Sequence, residues 1–361
     1  RSGDILKRAD AFSIKTFDSD TWDIDKLLSS AKESIDYARI NKEPVFHLVN
    51  TYRLNAHSKG DDDRDVEEIN KYKEKDFLIK FSKKDPMIYE KYLEGINAKI
   101  AIAIKDISEK EELSFTDYLG VSQETSKERQ WLPMVEMKER QVSLLNRFFD
   151  EILKANKKAV FIGEDVKSPY GGAFKVAKGL SDKYPNQVFT TPISEAAITG
   201  IGNGLALSSF KPFVEIMFGD FIILALDQII NHASKIYHMY NRKVKCPIVI
   251  RTAMGGRRGY GPTHSQTLDK FLIGIDNVKT VAINSLINPQ IIYNEVYNET
   301  DPVIVIENKS DYGKFIGKYK VDNYIFMVNN DTYPTVKISP MNSNPNLTIV
   351  TYGGMVDEVV N

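Results

Sequence analysis

Cysteine is almost missing from this chain. Cys246 is the single one in 361 residues, so no disulfide can form within the chain, which suits a reducing, cytoplasmic setting. Net charge is almost missing too: 48 Lys and Arg stand against 49 Asp and Glu. That balance gives no electrostatic ground for binding nucleic acid or an anionic membrane surface. The basic clusters, Lys83 with Lys84 and Arg257 with Arg258, are short and read as solvated surface or small-anion contacts. No apolar run reaches the roughly 20 residues of a bilayer span, and no signal-peptide core is present. Repeats and low-complexity tracts are absent. There is no initiator Met ahead of RSGDILKR, and TIVTYGGMVDEVVN stops in what reads as an unfinished helix. Both ends read as cut from a longer protein.

What is present is globular in composition, with 42% hydrophobic and 27% charged residues, enough for two or three domains. Apolar spacing at Ile24, Leu27, Leu28, Ala31, Ile35 and Ala38 predicts a helix over 21–41, and EPVFHLVNTY then reads as a buried strand. Residues 61–129 are highly charged and predict a helical hairpin followed by a polar connector, SQETSKERQ. From about 136 the pattern becomes α/β. Helix VEMKERQVSLLNRFFDEILKAN leads to strand KAVFIG, and QVFTT, FKPFVEIMF, CPIVIRT, VKTVAI and PVIVIE follow with helical stretches near 195–209, 220–240 and 289–299. Alternation of this kind predicts a parallel sheet flanked by helices, with ligands at the carboxyl ends of its strands. The lysine- and asparagine-rich stretch 314–346 reads as a linker to a further α/β domain.

Four segments can carry chemistry. In TTPISEAAITGIGNGLA, Glu195 opens a small-residue helix just past a strand. It serves either the helix dipole or a ligand. The Gly200-x-Gly202-x-Gly204 run falls inside the helix, so close packing explains it better than a dinucleotide fingerprint. In VEIMFGDF, Phe218 reads as core, while Met217 and Phe221 are placed to line the pocket of a flat heterocycle. In RTAMGGRRGYGPTHSQ a long glycine-rich loop delivers His264 beside Ser265 and Gln266. Adjacent His264 and Ser265 cannot form a hydrolase relay, and no G-x-S-x-G elbow occurs. In TYRLNAHSKGDDDR, Arg53 and His57 suit an anion-binding loop better than a metal site, because one histidine and three consecutive acids lack ligand spacing.

Together these segments resemble a known family. IGEDVKSPYGGAFKVAKGLSDKYPNQVFTTPISEAAITGIGNGLA, KPFVEIMFGDFIILALDQIINHASKIYHM, PIVIRTAMGGRRGYGPTHSQ and DPVIVIENK resemble, in order, the beta subunit of pyruvate and branched-chain 2-oxo-acid dehydrogenases. That likeness covers about 136–316. TYRLNAHSKGDDD, with the helix before it and EEINKYKEKD after it, looks like the end of the partner alpha subunit, over about 1–100. Alpha-type followed by beta-type resembles the fused single-chain form of the thiamine-diphosphate-dependent decarboxylating component.

The resemblance implies a thiamine-diphosphate-binding fold with four parts: the end of an alpha-type diphosphate-binding domain over 1–66, a helical region and linker over 67–133, a beta-type pyrimidine-binding domain over 134–316, and the start of a C-terminal transketolase-like domain over 317–361. It places Glu195 on the aminopyrimidine ring of thiamine diphosphate, where a carboxylate sharing a proton favours the ring's imino form and lets it act as a base. Met217 and Phe221 match residues packed on that ring, and His264 matches a histidine associated with substrate and acyl transfer. His57 matches a loop histidine near the cofactor phosphate, and Arg53 an arginine that orders that loop. The implied reaction is oxidative decarboxylation of a 2-oxo acid, branched-chain ahead of pyruvate or acetoin, with acyl transfer to the lipoyl-bearing acyltransferase component. The implied assembly is a homodimer or larger, with Ile222, Ile223, Leu226, Ile229 and Ile230 offering an apolar face.

Two departures stand out. The loop after His57 is shorter than in the animal enzymes and lacks their Tyr-Arg ending, which puts its order and any phosphorylation of Ser58 in question. The G-D-G…N-N motif that holds Mg²⁺ and the diphosphate in this superfamily is not in the chain, so the Mg²⁺ ligands belong to the full-length enzyme. The alternatives are a transketolase-like carboligase and a catalytically silent assembly module.

Overall fold

The computed structural model describes residues 3–58, 60, 62–112, 114 and 129–361. The chain forms two compact units, Arg1–Glu124 and Thr125–Asn361. All but the last two residues of the expected connector SQETSKERQ lie outside the described residues.

The first unit is built on one parallel strand pair, β1 (Lys15–Asp20) and β2 (Val45–Asn50), joined through helix Ile24–Asn41. Parallel strands need such a crossover. The Asp23 carboxylate caps the helix by accepting from the Lys26 N–H at 3.0 Å. Ile24, Leu27 and Ala31 are half-buried, while Leu28 and Ile35 remain exposed. Strand β1 escapes sequence reading because KTFDSD carries a single apolar side chain. Among the described residues three helices follow, Val66–Lys73, Phe77–Lys84 and Pro86–Ser108, in place of the expected hairpin of two. The Asp76 cap and the Asp85-Pro86 step break the charged run into separate helices.

The second unit holds six parallel strands: β4 (Ala159–Gly163), β5 (Val188–Thr190), β6 (Lys211–Ile216), β7 (Val249–Met254), β8 (Lys279–Ala282) and β9 (Val303–Asn308). Their order is β5-β4-β6-β7-β9-β8. Alternation along the strands divides the core in two. Phe161, Phe213, Val249, Val303 and Val305 pack with Phe148 and Phe149 of helix Gln141–Ala155 and Tyr293 of helix Pro289–Asn298. Their neighbours Ile162, Val214, Ile250, Ile304 and Ile306 pack with Ile198 of helix Glu195–Leu207 and with Ile229 and Ile236. A parallel sheet buried on both faces gives the near-continuous apolar runs visible in the sequence. Cys246 is buried, as a small hydrophobe.

Three expectations change here. Residues 219–239 are not one helix but a 3₁₀ turn, a π turn and a short α-helix in succession. Of the apolar face expected there, Ile222 and Ile229 are spent on this unit's own core, leaving Ile223 and Ile230 exposed. The stretch read as a linker over 314–346 contains β10 (Tyr324–Asn329) and β11 (Val336–Pro340), which form an antiparallel sheet with β3 (Trp131–Pro133). Cross-strand pairing there overrides a polar composition. TIVTY forms no strand, having no ladder partner among the described residues, although helix Val356–Val360 is present. Among the described residues no helix is long and apolar enough to cross a membrane.

Candidate active site

The strands of a parallel sheet all deliver their following residues at one edge. Glu164 follows β4, Met217 follows β6, and the loop carrying His264 follows β7. Glu195 stands five residues beyond β5 at the start of its helix. The chain runs from β4 outward to β5 and then back to β6 on the other side of β4. Connections therefore diverge between β4 and β6, and this opens the crevice where sheets of this kind bind ligands.

Ser194 caps the helix of Glu195, its hydroxyl accepting from the Ala197 N–H at 3.3 Å. The Glu195 side chain is buried at 7% exposure. Glu164, to which sequence reading gave no role, is buried beside it, and its Oε1 has no hydrogen-bond partner. Burial, then the charge of Glu195, then that of Asp165, raise Glu164 above the ordinary carboxylate range. Two buried carboxylates thus adjoin, one of them holding its proton more tightly. Two buried carboxyl groups, one with an unmatched acceptor, are complementary to a heterocycle that presents both an amino group and ring nitrogens.

Met217 is half-buried and lines a narrow cleft with Phe174, Glu215, Arg251 and Tyr312. Phe221 and Phe218 both meet the His264 imidazole edge to face, with ring centroids 5.2 and 4.7 Å away. Phe218, expected as plain core, therefore also supports the histidine. Thr263 Oγ1 lies 2.9 Å from His264 Nδ1, leaving Nε2 as the ring nitrogen without a partner among the described residues.

Behind the cleft lies a charged cluster that the sequence did not announce. Arg251 donates from Nε and Nη2 to Glu307, at 2.9 and 2.5 Å, and from Nη1 to Glu215. Glu307 also accepts from the hydroxyls of Tyr293 and of Tyr312, the latter at 2.7 Å. All five side chains are buried.

His57 and Arg53 belong to the other unit, on an exposed loop. The contacts that order this loop are those of Arg64 rather than of the Arg53 guanidinium. Arg64 donates to the Arg53 carbonyl and to Asp62, each at 2.6 Å. Its guanidinium lies 4.9 Å from the ring centre of Tyr52, which stacks on Tyr72 at 3.9 Å. The acidic run contributes through Asp62, held below the usual carboxylate range chiefly by its hydrogen bond from Arg64. Lys59 and Asp61 lie outside the described residues.

Comparison with known proteins matches each unit to a family. Residues 141–314 match the transketolase pyrimidine binding domain, and residues 1–112 match the dehydrogenase E1 component. In both units the chain is thus similar to thiamine-diphosphate-dependent 2-oxo-acid dehydrogenase E1 components. Among its relatives is the pyruvate dehydrogenase E1 component subunit beta-1 of Arabidopsis thaliana, 35% identical over 215 residues, covering 59% of this chain and 57% of that one. The corresponding subunit beta of Mycoplasma pneumoniae is 33% identical over 221 residues, covering 61% and 65%. The 2-oxoisovalerate dehydrogenase subunit beta of Bacillus subtilis is 30% identical over 213 residues, covering 59% and 63%. The chain thus spans 57 to 65% of the length of these relatives. The two matched domains imply dependence on thiamine diphosphate, and the Glu164–Glu195 pair fits its aminopyrimidine end. Among the described residues no group of three or more His, Cys, Asp or Glu could hold a metal ion.

Proposed function

We propose that this chain carries the pyrimidine side of an active site for oxidative decarboxylation of a 2-oxo acid, with transfer of the acyl group to a lipoyl-bearing acyltransferase component. The observation that carries the reading is the buried pair Glu164–Glu195 at the carboxyl edge of the sheet, with one oxygen lacking any partner. Thiamine diphosphate, when bound, supplies the electron sink that decarboxylation of a 2-oxo acid requires. Glu195 would share a proton with the ring, and Glu164 beside it would offer its unmatched oxygen to the same ligand. Met217 and Phe221 form the walls against the ring. Phe218 and Phe221 fix the plane of His264, which presents its free nitrogen to the substrate and the acyl acceptor. His57 and Arg53 would serve the anionic end of the cofactor.

The substrate class is the 2-oxo acids. Relatives named for pyruvate stand at 35 and 33% identity and one named for 2-oxoisovalerate at 30%, too narrow a spread to rank a branched chain above pyruvate. A homodimer or larger assembly is supported by helix Pro86–Ser108, whose Ile96, Ile100, Ile104 and Ile107 are exposed along one stripe. A transketolase-like carboligase shares the pyrimidine-binding domain, and the E1-type match over residues 1–112 favours the dehydrogenase. The test is Glu195→Gln in the full-length enzyme. Cofactor binding should persist through the amide, while turnover falls by about a hundredfold or more, as for loss of a general acid–base group. Near-normal turnover would reduce Glu195 to a helix-dipole residue.

A further inference from the structure

His264 sits on a loop that has little of its own to hold it still. Arg257, Arg258, Gly259, Tyr260, Gly261 and Pro262 are all exposed, though Tyr260 meets Phe218 and Phe174 edge to face and Arg257 pairs with Glu358. The imidazole itself packs on Phe218 and Phe221, and the backbone of the loop is held from underneath. Lys309, the first residue past β9, is fully buried. Its Nζ donates to the carbonyl of Gly255, where the loop leaves β7, at 3.1 Å, and to the carbonyl of His264, near its far end, at 2.5 Å. The Gly255 N–H donates to the Gln266 carbonyl at 3.2 Å. From the segment after β6, Asp220 Oδ1 accepts from both the backbone N–H and the side-chain amide of Gln266, each at 3.1 Å. The other oxygen, Oδ2, is buried without a hydrogen bond and stands 3.8 Å from Lys309 Nζ. The ammonium also lies 5.1 Å from the ring centre of Phe218, the ring that supports the imidazole.

We propose that Lys309, with Asp220 as its counter-charge, is the positioning residue of His264: it ties the two ends of the glycine-rich loop together and so sets where the imidazole points. Burying an ammonium costs several kcal/mol in the absence of good partners, and the partners found here are loop carbonyls and one carboxylate. Burial lowers the pKa of Lys309 and Asp220 opposes that shift, so the clamp should slacken as pH rises through the alkaline range. The catalytic consequence rests on the role proposed for His264, whereas the order of the loop does not.

The test separates the two. Hydrogen exchange of the full chain should show residues 255–266 exchanging about tenfold faster in Lys309→Met, as for loss of one charged hydrogen bond. Strand peptides 159–163 and 211–216 should stay unchanged, and Lys309→Arg should restore part of the protection. In the full-length enzyme, Lys309→Met should depress acyl transfer to a lipoyl carrier more than decarboxylation read with an artificial electron acceptor. Unchanged loop exchange overturns the proposal whatever the activity. Faster exchange with an unaltered ratio of the two activities leaves the clamp standing and removes His264 from acyl transfer. If Lys309→Met loosens the whole unit, Asp220→Asn decides: faster loop exchange with protected strands supports the clamp, and an unchanged loop refutes it.

Discussion

Replacing Arg251 by Met would take the cation out from between Glu215 and Glu307 and leave two carboxylates in the core. The site offers them little else. Glu307 is completely buried, Glu215 is 6% exposed, and the hydroxyls of Tyr293 and Tyr312 both bond Glu307, not Glu215. Burial already raises Glu215 above the ordinary carboxylate range, and Arg251 is what opposes that shift. Removing one partner of a buried ion pair costs roughly 3–5 kcal/mol. At about 2–4 °C per kcal/mol for a unit of this size, the midpoint of thermal unfolding should fall by about 6–20 °C at pH 7. The pH dependence follows from linkage. Without Arg251 nothing opposes the burial of Glu215, so its folded pKa lies further above the unfolded one. Such a group favours the folded state at low pH, and that contribution is lost as pH rises through the raised pKa. The gap between parent and variant should therefore narrow from pH 7 toward pH 5. Thermal melts followed by near-ultraviolet circular dichroism at both pH values give the comparison. Adding Glu215→Gln and Glu307→Gln to Arg251→Met should recover part of the loss. A loss under about 1 kcal/mol at pH 7, against the 3–5 expected, or a gap that does not narrow, would show that the cluster does not depend on Arg251 charge.

Helix Glu195–Leu207 offers a paired contrast. A Cβ on Gly202 would stand 2.5 Å from Val214 Cγ2 and 2.8 Å from Ile248 Cδ1, whereas one on Gly204 would meet nothing within 4 Å. Gly202→Ala should cost about 1–3 kcal/mol by overpacking and Gly204→Ala should add about 0.5–1 kcal/mol of helix propensity; equal effects in urea titrations would contradict the packing described. Lys211 supplies a pH test, because burial drops its ammonium to about 8 from an ordinary 10.5. The folded chain gives up this proton before the unfolded chain does, so stability from this group rises between those two pH values, by at most about 3 kcal/mol. Lys211→Met should lack that rise, and stability–pH curves that run parallel for parent and variant would refute it. Cys246, pushed up to about 11 chiefly by burial and drawn down by Lys211, contributes the opposite slope, and Lys211→Met should strengthen that fall as well as remove the rise.

The strands of the second unit were legible because both faces of the sheet are buried, which makes VIVI and PIVI apolar throughout. The glycine-rich loop and Glu195 were legible because both follow such a strand. Glu164 also follows one, in IGEDV, and the rule that singles out carboxyl ends of strands would have found it. Lys309, Asp220 and Arg251 were not legible. A buried lysine and a surface lysine look alike in sequence, and these three acquire their roles from partners 36 to 89 positions away. β10 and β11 were missed because their polar surroundings masked two short alternating runs, and β1 because its pairing with β2 does not depend on apolar content.

The parallel sheet also has a kinetic consequence. Its pairings join residues far apart in the chain: Phe161 with Val188, Ala159 with Lys211, Val249 with Val303. Separations of about 27–54 residues place a large loop-closure cost ahead of every strand pairing, which makes for slow folding. Glu164 and Glu195 cannot meet until β4 and β5 have paired, and the His264 loop lacks its Lys309 tie until β9 has docked beside β7. A chain arrested partway through folding would hold native-like helices and no site at all, so the chemistry is among the last properties this sequence acquires on its way to the native state.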